Sequence, residues 1–175
     1  QLLKETAAYA ESSLCRRKLL LHYFGENFQK ENCGNCDNCL NPQKKVEAKE
    51  NLCKVLNTVL ATKENFKEDY LKDVLIGRAT DEVCAHKHNK IEEFGCGDDV
   101  SDKVWYVVIR QAVVAGYLEK DVDNYGVLKV TDKGMDFLEN PCSFKIVEDR
   151  DYENAEPNIP LQGGEACTVD PLLYQ

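Results

Sequence analysis

Ser101-Asp102-Lys103-Val104-Trp105-Tyr106-Val107-Val108-Ile109-Arg110-Gln111-Ala112-Val113 is the stretch that organises the rest of the chain. Trp105, Val108, Ile109, Ala112 and Val113 recur at helical spacing and form one apolar stripe. Ser101 stands where a helix cap belongs, and Gly116 supplies the stop. Lys103, Tyr106, Val107, Arg110 and Val114 fall on the other face. Downstream, Leu128 and Val130 alternate with Lys129 and Thr131, the period of a half-buried strand. That strand pairs in expectation with Tyr117–Val122 through the turn Asp123-Asn124-Tyr125-Gly126. Upstream, Leu52, Val55, Leu56, Val59 and Leu60 mark an amphipathic helix. Tyr70, Leu71, Val74 and Leu75 mark a shorter one that ends near Gly77. A polar stretch from Arg78 to Asn89, then Gly95 and Gly97, separates it from the third.

Three helices followed by a hairpin is the order of a winged helix-turn-helix, expected here over residues 46–140. The segment before it reads differently. Residues 2–24 hold no Gly or Pro, and Leu3, Ala7, Ala10, Leu14 and Leu21 give one continuous helix an apolar side. Residues 25–42 carry a cysteine cluster. The fold class is therefore mainly α with a small β-hairpin: a helical metal-binding subdomain over 1–45, then the winged helix. Residues 141–169 hold Pro141, Pro157, Pro160 and the pair Gly163-Gly164 and read as an acidic linker. Residues 170–175 have the look of a helix beginning a further domain.

The chain has 175 residues and a formal charge of −9, with 43% apolar and 30% charged side chains, which excludes wholesale disorder. Its longest apolar runs, such as Val104 to Ile109, fall far short of the roughly 18 to 20 residues of a membrane span. No basic-then-apolar leader opens it, and a start at Gln1 inside a helical pattern suggests a soluble piece of a longer chain. The nine cysteines are an odd number with no leader, which argues against a secreted disulfide framework. Cys53, Cys84, Cys96, Cys142 and Cys167 are scattered and read as idle or buried thiols.

The clustered cysteines are another matter. Cys33-Gly34-Asn35-Cys36-Asp37-Asn38-Cys39 sets three thiols at x2 spacing among residues that tolerate tight turns. Cys15, on the preceding helical segment, is the remaining cysteine on that side and completes C-x17-C-x2-C-x2-C. Four thiolates make a closed tetrahedral zinc site, which is structural; a catalytic zinc keeps a position open for water. The bacterial ferredoxin run requires a fourth cysteine at C-x3-C spacing, and that position is Gln43. The expected cofactor is Zn2+.

Candidate nucleic-acid contacts follow from charge and helix geometry. Lys103, Tyr106 and Arg110 sit on the outward face of the third helix, whose N-terminal amides also suit a phosphate. Arg16 and Arg17 follow the first cysteine. Tyr125, at the hairpin tip, could stack on a base. Against this, Asp98, Asp99 and Asp102 crowd the helix start, where they also complement its dipole. Residues 49–140 carry 13 basic against 18 acidic side chains, which is not the footprint of a strong autonomous DNA binder. A protein-interaction module with little DNA affinity is the competing reading. His86 and His88, in a polar loop, read as solvated rather than as a second metal site.

Cys15-Arg16-Arg17, His22-Tyr23-Phe24-Gly25-Glu26, the cysteine run, Asp73-Val74-Leu75-Ile76-Gly77 and Trp105 through Gln111 together resemble the region C-terminal to the motor in RecQ-family DNA helicases. The order of motifs matches from about residue 2 to 140. The resemblance implies a zinc-binding subdomain plus a winged helix, together the RQC region, followed in many bacterial members by an HRDC domain. It implies zinc ligands at Cys15, Cys33, Cys36 and Cys39, a duplex-facing helix from Ser101 to Arg110, and a short wing at Val122 to Val127. Arg16, Arg17, Arg78, Ser101, Lys103, Tyr106, Arg110 and Tyr125 are the DNA contacts expected on this basis. The intact family member is an ATP-dependent 3′-to-5′ DNA helicase in repair and recombination, bacterial and cytoplasmic with the nucleoid. Its partners are duplex or forked DNA with a 3′ tail and the motor domains of the same chain, with no membrane. ATP and Mg2+ belong to that motor, because no G-x-x-x-x-G-K-[ST] loop occurs in these residues.

Overall fold

A computed structural model describes residues 2–26, 28–121 and 124–148. Helices α1 (Leu2–Glu11), α2 (Arg16–Tyr23) and the single turn α3 (Asp37–Leu40) form the N-terminal part. Strand β1 (Lys45–Glu47) leads into α4 (Lys49–Ala61), α5 (Glu68–Leu75), α6 (Asp81–Ala85) and α7 (Asp102–Val114). The hairpin strands β2 (Leu118–Asp121) and β3 (Val127–Val130) follow, then α8 (Asp132–Glu139) and β4 (Lys145–Val147).

The winged-helix core lies where the apolar stripes meet. Leu52, Val55, Leu56 and Val59 of α4 close on Leu71 and Leu75 of α5 and on Trp105, Val108, Ile109 and Ala112 of α7. Leu118 and Leu128 roof this core from the hairpin, in register with Val130 and Lys120 respectively. Trp105 is fully buried and its indole N–H donates to the Gly97 carbonyl at 3.0 Å. The indole lies so close over Gly97 that a Cβ there would overlap the ring, which explains glycine at that position. The hairpin is also tied to the α4–α5 turn. Leu128 N–H donates to the Phe66 carbonyl at 3.0 Å, and Val130 N–H to the Glu64 carboxylate at 2.8 Å.

Three expectations are corrected. First, residues 2–24 are two helices, broken at Ser12–Cys15. Ser12 Oγ accepts the Leu14 N–H at 3.2 Å, a local bond that competes with the helical ladder. The Asn38 side-chain amide then donates to the freed carbonyls of Ser12 and Leu14, both at 2.7 Å. Second, the linker does not begin at residue 141. Phe144 and Ile146 are buried in the core, and β4 pairs antiparallel with β1, Val46 opposite Ile146. The Gln111 side chain of α7 holds this sheet by donating to the Val147 carbonyl at 2.6 Å and accepting its N–H at 3.0 Å. Residues 149–175, the rest of that linker and the expected helix start at 170–175, lie outside the described residues. Third, the polar stretch from Arg78 to Asn89 holds a helix, α6, and a further helix, α8, follows the hairpin. Thr80 caps α6, accepting the Val83 N–H, and Thr131 caps α8, accepting the Gly134 N–H.

Candidate metal centre and nucleic-acid face

The break between α1 and α2 is what builds the cysteine site. Cys15 occupies the cap position of α2, with φ −53° and ψ 121°, and is buried. Cys36 is the corresponding flanking residue of α3, and Cys39 lies within that turn. The Sγ atoms of Cys15, Cys33, Cys36 and Cys39 all lie within 4.8 Å of one another. Cys33 and Cys39 are 3.9 Å apart, against the separation of about 3.8 Å that tetrahedral Zn–S bonds of about 2.3 Å require. The donor set therefore fits a closed four-thiolate zinc. Backbone N–H groups of Asn35 and Cys36 hold the Cys33 thiol down to about 6. Desolvation, with the neighbouring Cys36 thiol, pushes Cys39 up to about 11.

Around these thiols the polar residues are committed to scaffolding. Arg16, an expected DNA contact, instead faces inward. Its Nε and Nη2 reach the Asp37 carboxylate at 3.1 and 3.0 Å. Its remaining donors take the carbonyls of Tyr9 and Ala10 at the end of α1. One guanidinium thus joins α1, α2 and α3, satisfying carbonyls that a helix end leaves open. Arg17 is exposed.

Arg110 also has a scaffolding contact. Its guanidinium donates to the Ala8 carbonyl of α1 at 2.5 Å, so it links the winged helix to the N-terminal part. Val107, on the face expected to be open, is buried. The face narrows accordingly to the start of α7. There Arg78 meets Asp73 at 3.1 Å and Asp102 at 3.2 Å, while buried Lys72 meets the same two carboxylates at 3.1 and 3.7 Å. Tyr106 donates to Asp69 at 2.5 Å and lies under the Lys72 ammonium. Burial first, then the bond to Asp69, raises the Tyr106 pKa and keeps its hydroxyl protonated. Of the acidic groups that crowd this helix start, Asp102 is thus paired with Lys72 and Arg78, and Asp99 pairs with Lys54. Lys103 and Ser101 are exposed, and Ser101 makes no side-chain cap bond.

Tyr125, with φ 58°, is 82% exposed at the hairpin tip, with the Lys67 ammonium 5.9 Å from its ring. Val122 and Asp123 of the expected wing lie outside the described residues. His86 and His88 are not simply solvated. Both stand edge-on to Phe66, at 4.9 and 5.3 Å, and His88 Nδ1 pairs with the Tyr70 hydroxyl at 2.7 Å. Sequence reasoning missed this cluster because its members are spread over residues 66–88 and no periodicity joins them. Of the scattered thiols, Cys53 and Cys96 pack against the core, while Cys84 and Cys142 are exposed.

A four-cysteine helical module leading into a winged helix is the class that fold and site define. The RecQ zinc-binding family model matches residues 1–40, and the RQC domain model matches residues 42–155. The chain belongs to the RQC domain family, with a RecQ zinc-binding segment before the RQC domain. It is 34% identical over 147 residues to the ATP-dependent DNA helicase RecQ of Pasteurella multocida, covering 82% of this chain and 23% of that protein. To the protein of the same description from Haemophilus influenzae it is 36% identical over 118 residues, covering 67% and 19%. To the ATP-dependent helicase SGS1 of Saccharomyces cerevisiae it is 26% identical over 126 residues, covering 66% and 9%. The chain thus spans about a fifth of the length of the bacterial relatives. The zinc-binding match and the four-cysteine cluster together support a structural zinc. No helix among the described residues is long and apolar enough to cross a membrane.

Proposed function

We propose that this region is the DNA-binding and stabilising module of an ATP-dependent 3′-to-5′ DNA helicase acting in repair and recombination in the bacterial cytoplasm, at the nucleoid. The observation that carries the reading is the convergence of four thiols on one point beside a winged helix, in a chain that matches both family models. Cys15, Cys33, Cys36 and Cys39 hold the zinc; with all four positions filled by sulfur it joins α1, α2 and α3 rather than reacting. Duplex phosphates meet the start of α7 through Ser101, Lys103 and Arg78, with Tyr106 packed alongside and Arg17 on the neighbouring module. Tyr125 meets the end of the duplex, where an unpaired base offers a face to stack on. ATP and Mg2+ act in the motor domains of the full-length protein. Exposed Leu20, Tyr23, Phe24 and Leu40 give those domains an apolar surface to dock on.

The test is a strand-separation assay on the full-length protein carrying Lys103→Ala and Tyr125→Ala. ATP hydrolysis stays near the parent rate while unwinding of a 3′-tailed duplex falls several-fold. Unwinding at the parent rate would overturn the assignment of this face. Equal unwinding of 5′-tailed duplex by the parent would overturn the polarity.

A further inference from the structure

Many basic groups of residues 49–140 are engaged, Lys103 and Lys120 among them. Lys54 pairs with Asp99, Lys72 and Arg78 with Asp73 and Asp102, and Lys129 with Asp121. Arg110 and Lys133 donate to backbone carbonyls. Lys49 stands apart at the start of α4. Lys63, Lys67, Lys87 and Lys90 are the remaining basic groups of this segment. They are exposed and form no ion pair among the described residues, and in sequence they flank the members of one feature, the Phe66–Tyr70–His86–His88 cluster.

Phe66 and Tyr70 stack with ring centroids 3.9 Å apart, and His86 lies nearly parallel to His88, at 22° and 5.9 Å. His86 is exposed, whereas His88 is half-buried and anchored by Tyr70. Lys63 is near enough to His88 to help lower its pKa, after burial and His86. Lys67, next in sequence to Phe66, places its ammonium 5.9 Å from the Tyr125 ring. Glu82 acts on Tyr70, and the Glu64 carboxylate is already taken by the Val130 N–H. The left-handed non-glycine residues among those described are Lys63, Glu64, Lys87 and Tyr125, and the first three lie within three residues of Phe66, His86 or His88 in sequence. Such backbone is retained where the surroundings enforce it, and it clusters at binding sites.

We propose that this surface binds single-stranded DNA, with an unpaired base stacked on the His86 ring and phosphates on Lys63, Lys67 and Lys87, continuing from Tyr125. An exposed ring flanked by free ammonium groups suits a single strand, because a paired base in a duplex presents no open face. The inference rests on the DNA-binding reading above and adds the course of the unpaired strand.

The test uses the whole zinc-loaded 175-residue chain, with oligothymidylate, a blunt duplex and the same duplex with a tail as fluorescent probes. The combined His86→Ala, Lys63→Gln and Lys87→Gln variant binds oligothymidylate and tailed duplex about tenfold more weakly. Its affinity for blunt duplex stays within about twofold, and its salt slope on the tailed probe falls by roughly one to two units. The single variant His86→Phe, which keeps a stacking face, retains tail affinity that His86→Ala loses. Equal weakening on blunt and tailed probes, or no weakening on the tail, would overturn the proposal. A parent chain that binds blunt duplex but not oligothymidylate would overturn it alone. A parent chain that binds none of the probes would overturn the DNA-binding reading as well.

Discussion

The guanidinium of Arg110, midway along α7, donates to the backbone carbonyl of Ala8 in α1 at 2.5 Å, across 102 residues of sequence. A residue whose helix face suggested a phosphate contact is thereby a fastening between the winged helix and the cysteine module. The Ala8 carbonyl also accepts the N–H of Ser12, so the fastening sits at the turn where α1 breaks.

Arg110→Ala should therefore act on stability more than on DNA. A charged hydrogen bond of this kind is worth about 1.5–3 kcal/mol, and urea unfolding should register a loss of that order. The slope of log affinity against log salt for duplex DNA should change by well under one unit. A slope reduced by a full unit would return Arg110 to the interface.

Asn38 has a comparable place on the other side of the break, its amide holding the Ser12 and Leu14 carbonyls at 2.7 Å. Asn38→Ala leaves two carbonyls without a partner, at about 1–3 kcal/mol for each buried group. Zinc retention in a chelator competition should weaken with it, because Cys15 is positioned by that turn. Unchanged retention would separate the turn from the metal site.

Removing zinc should affect the two parts unequally. Chelation should loosen the α1–α2–α3 assembly, which is held chiefly by the thiols, Arg16 and Asn38. The winged-helix core, built on Trp105 and its neighbours, has apolar burial of its own. Amide exchange after chelation should accelerate in residues 2–41 while α4, α5 and α7 stay protected. Uniform acceleration would contradict that division.

Asp121 gives a pH signature. Its carboxylate is held by Lys129 at 2.7 Å and by Asn124, and its pKa is lowered from 3.8 to about 2. A depressed carboxylate contributes stability that is present above its unfolded value and lost as pH falls through the folded one. Hairpin order should persist to about pH 4 and decline toward pH 2. Lys129→Ala should move the Asp121 midpoint up toward the ordinary carboxylate range, read by carboxyl-carbon NMR. A midpoint unmoved by that change would contradict the pairing.

The elements legible in sequence were those with one strong period or one specific spacing. The stripes of α4 and α7 and the alternation in β3 required nothing beyond their own residues, and the x2 cysteine spacing identified its chemistry at once. The break at Ser12–Cys15 was hidden because serine disrupts a helix only when its side chain finds a local partner, and Asn38 supplies the rest from 24 residues or more away. Strand β4 was hidden because its three residues have no pattern until β1 and Gln111 pair with them. The inward roles of Arg16 and Arg110 were illegible for the same reason: a helix face shows where a side chain starts, while the carbonyl it reaches is set by tertiary packing.

Fluorescence-anisotropy titration of the zinc-loaded chain with single-stranded, blunt duplex and 3′-tailed duplex DNA, at two salt concentrations, tests the central claim most directly. Tightest binding to the tailed duplex, weakening as salt rises, is the predicted result. No binding to any of the three at the lower salt concentration would contradict it and leave a protein partner as the ligand of the winged helix.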